Sequence, residues 1–413
     1  MKVLFLISSF PALSETFILN QITGFIDRGI DVEIVAWNKV NNEKNHPEIE
    51  QYSLLEKTHF LNNNLVKSQR LIGGLKIAAK SIWKAPKATC QAFNYRKYGK
   101  MIFTVRFLYA LPYFLKRQKF DAVICHYGPS GIVAAYLQNQ KLLPENVMTF
   151  FHGNDVTTFV KKHGSNVYDS LFTADIKLLP VSHQFARLLK AYGANSEQIQ
   201  VHRMGIDLDK FHPVKPSRLG ETVNFLSIGR LTEKKGMDVA VKTMYELKKR
   251  GLRISLEIIG EGALRNDLEA LIINKNLEKE VTLLGWQSQT EVKQAIEKAD
   301  FILQLSKTAS DGDKEGVPVA LMETMARGKL VISTHHSGIP ELITNNKHGW
   351  LVAEDSVPET TEKIIEVIHH PEIWAQISEQ ARNKIHHEFN IKKLNDTLIA
   401  SCAGGIVHAQ KNV

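Results

Sequence analysis

Two rhythms alternate along the chain. Short runs rich in Val, Ile, Leu and Phe, "KVLFLIS" (2–8), "DVEIVAW" (31–37), "DAVICHYG" (121–128), "VMTFFHG" (147–153) and "DIKLLPVS" (175–182), predict strands. Stretches with helical spacing of apolar residues, such as "SETFILNQITGFIDRG" and "SHQFARLLKAYGA", lie among them. The second half repeats the scheme with "VNFLSIGR" (223–230), "RISLEIIG" (253–260), "VTLLGW" (281–286), "DFILQLS" (300–306) and "LVIST" (330–334), separated by helices such as "GMDVAVKTMYELKKRG". Strands alternating with helices predict parallel sheets, and two such sets predict an α/β protein of two Rossmann-like, doubly wound domains. Prolines, glycine and charges break the pattern in "GIDLDKFHPVKPSRLGE", so 205–221 is expected to link a domain over 1–204 to one over 222–387. Ligands of such sheets bind beyond the carboxyl ends of the strands, which makes the cleft between the domains the expected site.

One predicted helix carries an anomaly. In "EGVPVALMETMARGK" (315–329), Pro318 suits the first helical position and Gly328 a left-handed stop, so the helix should run from about 318 to about 327. Apart from Glu323, the seven positions Val319 to Met322 and Thr324 to Ala326 are uncharged, which makes a largely buried helix with one carboxylate in its middle. The two hydroxyls of a ribose would satisfy Glu323; the bland alternative is an i,i+4 pair with Arg327, worth ~0.3–0.5 kcal/mol if exposed. The helix start offers amides from about Gly316 through Val317 to Val319 and Ala320, and Glu315 just ahead of it can accept from hydroxyls.

Other loops add candidates. In "SIGRLTEKKGMD" (227–238), Arg230 and Lys235 lie between a strand and a helix, where two cations can clamp a diphosphate or be ordinary surface charges. The "IIGEGALRND" loop (258–267) offers glycines, Gly260 among them, for close backbone approach to a base or phosphate. Arg265 stands where G-x-G-x-x-G needs its third glycine, which argues against a dinucleotide cofactor. "FFHGNDV" (150–156) places His152 after a strand with Asp155 close behind, and a histidine there can donate to a sugar hydroxyl or orient an acceptor and titrates near working pH, the bland alternative being a loop histidine bonded to backbone. His126 in "CHYGP" invites the same comparison, and Ser14 in "SSFPALSET" (8–16) is the natural N-cap of the first helix. "DGD" (311–313) reads as turn chemistry, and the paired histidines at 335–336, 369–370 and 386–387 lack metal spacing.

Composition narrows the setting. Three scattered cysteines, Cys90, Cys125 and Cys402, give neither a disulfide framework nor a zinc spacing and suit a reducing cytoplasm. "MIFTVRFLYALPYFL" (101–115) falls short of the ~20 residues that span a bilayer. The net charge of +9 is concentrated: 57–120 holds fourteen Lys and Arg, no Asp or Glu, and aromatics including Trp83, Phe93, Tyr95, Tyr98, Phe103, Phe107, Tyr109, Tyr113 and Phe114. That mixture suits an anionic membrane surface, with a solvated basic insertion as the alternative. No helix-turn-helix, zinc-finger, RRM or KH signature accompanies the charge, so nucleic acid is not expected as a partner.

"GRLTEKKG", "IIGEGALR", "VTLLGW" and "EGVPVALMETMARGKLVISTHHSGIPELI" resemble the donor domain of GT-B retaining glycosyltransferases of family 4, with the E-x7-E motif at Glu315 and Glu323. "SSFPALSETFILNQI", "FHGND" and "SDGDKEGVPVALMETMA" are similar to the bacterial exopolysaccharide branch, of the colanic-acid type. The resemblance covers about residues 2–390. It implies that Arg230 and Lys235 neutralise the donor diphosphate, that Glu315 meets the donor sugar, and that Gly316, Val317, Pro318, Val319, Gly260 and Trp286 line the donor. Glu323 would hold the ribose, and His152 would line the reacting face from the other domain. Ala12, Leu13 and Ser14 stand where many relatives carry a Gly-Gly turn that touches the donor phosphate, so an acceptor or phosphate role for Ser14, Glu15 and Thr16, and for His126 and Asp155, is a guess. The segment 388–413 would cross back to the first domain. No metal or other cofactor is expected.

The implied function is transfer of a hexose, with retained configuration, from a nucleoside diphosphate sugar, UDP-linked by expectation, to a polyprenyl-diphosphate-linked saccharide in exopolysaccharide, capsule or O-antigen synthesis. The enzyme would be cytoplasmic and peripheral on the inner membrane face. A sugar-nucleotide epimerase or phosphorylase on the same fold, or a non-catalytic nucleotide-sugar-binding module, are the rival readings.

Overall fold

Among the described residues twelve strands form, the central ones from apolar runs buried on both faces, as parallel strands covered by helices must be. In the computed structural model, which describes residues 1–12, 15–40, 46–62, 66–116, 119–214 and 219–404, the chain divides into two units, Met1–Arg203 with Ile391–Val413, and Met204–Asn390. The first unit carries β1 (Lys2–Phe10), β2 (Asp31–Lys39), β3 (Thr58–Asn62), β4 (Ala122–His126), β5 (Val147–Phe151) and β6 (Lys177–Pro180). The second carries β7 (Val223–Ile228), β8 (Ile254–Ile259), β9 (Val281–Gly285), β10 (Phe301–Gln304), β11 (Leu330–Thr334) and β12 (Trp350–Val352).

Each sheet is six-stranded and parallel, ordered β3-β2-β1-β4-β5-β6 and β12-β11-β10-β7-β8-β9. Both orders reverse direction beside their first strand, between β1 and β4 and between β7 and β10. Loops diverge there and leave a crevice at the carboxyl edge, so each unit has its own switch point. The α/β, doubly wound expectation holds, and the ten expected strands are present with ends that differ from the expected ones by at most two residues, β1 and β2 running two residues longer. β3 and β12, which the pattern did not predict, are edge strands of five and three residues.

The core of the second unit packs Phe225, Phe301 and Trp374 among aliphatic residues, with Phe301 edge-on to Trp374 at 5.3 Å. Met204 onward belongs to this unit: the Ile206 amide donates to the Phe389 carbonyl, and the Val214 amide to the Arg327 carbonyl. The last helix, Ile391–Cys402, packs on the helix Thr16–Ile26 of the first unit. Arg28 binds Asp396 Oδ1 at 2.5 Å and the Lys392 carbonyl at 2.8 Å, and a Cβ on Gly24 would stand 2.0 Å from Asn395 Nδ2.

The basic segment divides its aromatics. The helix Arg106–Phe114 buries Phe107, Tyr113 and Phe114, and Tyr98 is buried too, so these four are core and not surface, contrary to the sequence expectation for the whole set. Arg106 stacks its guanidinium over Trp37 at 5.1 Å, and burial lowers its pKa to about 10. Trp83, Phe93, Tyr95 and Phe103 remain exposed. Among the described residues no helix is long and apolar enough to cross a membrane.

Candidate functional site

The second unit builds its site at the β7/β10 switch point. After β7 the chain turns through Gly229, Arg230 and the 3-10 turn Glu233–Lys235 into the helix Met237–Lys249. Gly236 makes that turn possible: its φ is +63°, and a Cβ would stand 1.8 Å from the Leu305 carbonyl oxygen. The loop after β7 is thereby pressed against the end of β10, where Lys307 donates its amide to the Lys234 carbonyl at 3.0 Å.

Two ion pairs lock the loops together. Lys235 Nζ lies 2.6 Å from Glu315 Oε2 and Lys234 Nζ 2.8 Å from Asp313 Oδ2, all four side chains being at most a fifth exposed. Burial alone would raise the Glu315 pKa, but Lys235, Lys234 and Arg230 together bring it down to about 2. Asp313 also donates its amide to Asp311 Oδ1 at 2.8 Å, so "DGD" does make a turn, and in addition supplies the partner of Lys234. Arg230 is exposed.

Below the pairs begins the helix Val319–Ala326, with Pro318 as its N-cap, Arg327 as its C-cap and Gly328 at φ +77°. Its boundaries thus lie one residue inside the expected ones, with Pro318 capping the helix. The amides of Val319 and Ala320 have no acceptor within the helix and form a partly positive terminus. Gly316 is tightly packed: its carbonyl would lie 2.6 Å from a Cβ on Gly338, with Val317 Cγ2 at 2.9 Å from it.

Glu323 sits on this helix with no side-chain partner among the described residues. The residue is half-buried, and that burial pushes its pKa up to about 7 against a weaker pull from Lys293. Arg327 turns to Glu297 instead, which removes the i,i+4 alternative for Glu323. A half-buried, unpaired carboxyl in the middle of this helix has its oxygens free to accept from a ligand's hydroxyls.

Sequence reasoning passed over the group that holds Glu315 in place. His336 is fully buried; its Nε2 accepts the Glu315 amide at 3.0 Å and its Nδ1 meets Glu354 Oε1 at 2.7 Å, while Glu354 Oε2 accepts the Thr308 amide at 2.7 Å. Since Nε2 accepts, the proton lies on Nδ1 and donates to Glu354. Burial holds the His336 pKa below its ordinary value despite that carboxylate. The only sequence signal was the "HH" at 335–336, set aside for lacking metal spacing.

The glycine loop has a different reason from the expected one. A Cβ on Gly260 would stand 1.9 Å from the Gly229 carbonyl oxygen, and one on Gly262 2.4 Å from that of Leu231. These glycines let the loops after β7 and β8 touch, so the neighbouring backbone, not a ligand, accounts for them. Trp286 follows β9 and is half exposed.

In the first unit the loop ends of β1, β4 and β5 come together at the β1/β4 switch point. Glu15 is the N-cap of the helix starting at Thr16, without a side-chain cap bond, and accepts from the Tyr127 hydroxyl at 2.8 Å. Ser14, the expected cap, lies outside the described residues. Asp155 is 3% exposed and accepts the amides of His152 (3.0 Å), Gly153 (2.9 Å) and Gly128 (3.0 Å). Burial raises its pKa and these amides oppose the rise, so Asp155 serves the loop and has little left for a ligand. His152 meets His126 ring to ring, Nε2 to Nδ1 at 3.0 Å. Burial lowers the His152 pKa to about 3 and takes that of His126 well below the ordinary value. The expectation that His152 titrates near neutral pH is therefore corrected: both imidazoles are neutral there. Among the described residues no group of three or more His, Cys, Asp or Glu is placed to hold a metal ion.

Cations on a loop and an open helix start at the switch point of a Rossmann-like sheet define a class of protein built to receive an anionic ligand beyond its strand ends. The model of "Glycosyl transferases group 1" matches residues 210–384 and that of "Glycosyltransferase Family 4" residues 14–210. The chain is 36% identical over 406 residues, 96% of itself and 98% of the relative, to a protein of Escherichia coli assigned as the colanic acid biosynthesis glycosyltransferase WcaL. It is 26% identical over 315 residues, 72% of itself and 79% of the relative, to the E. coli UDP-Gal:alpha-D-GlcNAc-diphosphoundecaprenol alpha-1,3-galactosyltransferase. In fold it resembles Anabaena HepE in complex with UDP, with a TM-score of 0.71 at 16% identity over 98% of this chain and 100% of the other. The chain belongs to the family 4 glycosyltransferases of GT-B fold, in the branch of bacterial exopolysaccharide enzymes.

Proposed function

We propose that this enzyme transfers a hexosyl group from a UDP-sugar to a saccharide carried on polyprenyl diphosphate, with retention of anomeric configuration and without a metal. The observation that carries the reading is the Lys235–Glu315 pair at 2.6 Å, within electrostatic reach of Arg230 and just ahead in the chain of the open amides of Val319 and Ala320. These cations and amides would meet the diphosphate and stabilise it as it leaves, the kind of preorganised electrostatics that dominates group transfer. Glu315, ionised through the working pH range, accepts from hydroxyls of the hexose, and Glu323 accepts from the two ribose hydroxyls. The acceptor hydroxyl attacks C1 on the face the diphosphate leaves; the C1–O bond to phosphate breaks, the new glycosidic bond forms, and the hydroxyl proton passes to a leaving phosphate oxygen. No enzyme carboxylate is needed as nucleophile. The relative that acts on GlcNAc-diphosphoundecaprenol supports the lipid-linked acceptor, the colanic-acid relative supports the exopolysaccharide setting, and HepE with UDP supports the nucleotide.

The lipid carrier places the acceptor at a membrane. Eight of the thirteen large apolar side chains exposed among the described residues lie between Val66 and Phe103, interleaved with lysines and arginines. We assign this face to the anionic inner surface of the cytoplasmic membrane.

The test is incubation with UDP-galactose, UDP-glucose, UDP-N-acetylglucosamine and GDP-mannose, alone and with synthetic polyprenyl-diphosphate saccharides, in the presence of chelator. A transferase releases the free sugar and its nucleoside diphosphate from the donor alone and gives an α-linked product with acceptor, and Glu315→Ala retains UDP binding while losing turnover. Recovery of an altered nucleotide sugar would instead make the chain an epimerase, and turnover of GDP-mannose only, or of none of the four, would remove the UDP-sugar assignment.

A further inference from the structure

Two histidines of the first unit face each other nitrogen to nitrogen, and only one proton fits between them. His126, the last residue of β4, is fully buried between Phe5 (centroids 6.1 Å, planes 12° apart) and Phe150 (5.1 Å, 10°). Its Nδ1 stands 3.0 Å from Nε2 of His152. A neutral imidazole has one N–H and one lone pair, so one of these nitrogens donates and the other accepts.

The far side of His126 decides which. Its Nε2 is buried without a hydrogen-bond partner among the described residues. An orphaned N–H in a protein interior is rarer than an under-used acceptor, so the bare position belongs to the lone pair. The His126 proton is then on Nδ1 and points at His152 Nε2. His152 must accept there and carry its own proton on Nδ1, for which no bond within the described chain is found. Its ring is fixed by Phe17 at 4.7 Å and Tyr127 at 4.8 Å, and its amide by Asp155 at 3.0 Å.

We propose that His126 is a positioning residue that locks His152 in its Nδ1–H form, so that the loop after β5 presents a fixed N–H donor to an oxygen of the hexosyl substrate and cannot serve as a proton acceptor. A proton added to His152 Nε2 would set two N–H groups against each other. The acceptor hydroxyl must therefore lose its proton elsewhere, in keeping with phosphate-assisted transfer. The substrate oxygen rests on the function proposed above; the tautomer does not.

The experiment is long-range 1H–15N correlation on ligand-free protein labelled with 15N-histidine, with His152 assigned by its loss in His152→Asn. The expected spectrum shows His152 as Nδ1–H. His126→Phe keeps the ring stack without the donor and should move His152 towards Nε2–H, whereas His126→Asn puts an amide N–H where Nδ1–H was and should restore the native pattern. In turnover of UDP-galactose or UDP-glucose, His126→Phe should lower kcat/KM by about tenfold or more and His126→Asn recover most of it. An Nε2–H pattern at His152 in the native protein, or an unchanged pattern in a folded His126→Phe, overturns the proposal. If His126→Phe fails to fold, the native spectrum decides alone. The native tautomer with no turnover of either sugar would sink the donor reading and leave the positioning role standing.

Discussion

Glu323→Gln removes a charge from the helix Val319–Ala326 while keeping its shape. Burial carries this carboxyl from the ordinary 4.5 to about 7. At about 1.4 kcal/mol per tenfold change in proton affinity, the ionised form costs the folded state roughly 3 kcal/mol. Because the folded pKa is raised, the native protein holds a proton that the unfolded chain has lost between pH 4.5 and 7, and stability falls as pH rises through that window. Glutamine does not ionise. Urea unfolding should therefore show the variant within about 1 kcal/mol of the parent at pH 5 and more stable by roughly 2–3 kcal/mol at pH 8.5. The same variant should bind UDP more weakly by about 1.5–3 kcal/mol, the scale of a charge-assisted bond. A stability difference independent of pH would refute the argument, because it would mean that the carboxyl is solvated or paired.

Lys235→Ala should weaken UDP binding by ~1.5–3 kcal/mol in calorimetry and, by leaving Glu315 short of its partner, lower stability at neutral pH by roughly 2–4 kcal/mol. Since the Glu315 pKa is depressed to about 2, its contribution is present above 4.5 and lost as pH falls through about 2, so parent and variant should converge in acid. Gly236→Ala should cost about 2 kcal/mol or more in chemical unfolding, because its φ of +63° and the Leu305 carbonyl both resist a Cβ. Charge reversal at Lys76, Lys80, Lys84 and Lys87 should release the protein from anionic vesicles and leave donor hydrolysis in solution unchanged; unchanged vesicle binding removes the membrane assignment.

The sheets were legible because parallel strands buried on both faces read as unbroken apolar runs, "VICH" and "FILQ" included. "THFLN" and "WLV" were not, since an edge strand of three to five residues carries too short a signal. The positions of Arg230, Lys235 and Glu315 in loops after strands, and of Glu323 inside a short helix, could be read from spacing, and the structure places them there. His336 could not, because its role depends on partners 21 and 18 residues away that only the folded loops bring together. Burial reversed two readings made from residue type alone: it keeps His152 neutral, and it takes Tyr98, Phe107, Tyr113 and Phe114 into the core. The glycines at 260 and 262 did mark a close approach, but of the chain to itself.

The docking of Ile391–Cys402 onto Gly24 and Arg28 sets an order on biosynthesis. Domains emerging from the ribosome generally fold in sequence, first part first. Here the first body lacks the helix Ile391–Cys402 until the whole second body has been made, so the nascent half-protein waits with an open seam along Thr16–Ile26 while nearly two hundred further residues are added. A stop codon near residue 390 would thus cripple the amino-terminal half and spare the carboxyl-terminal one.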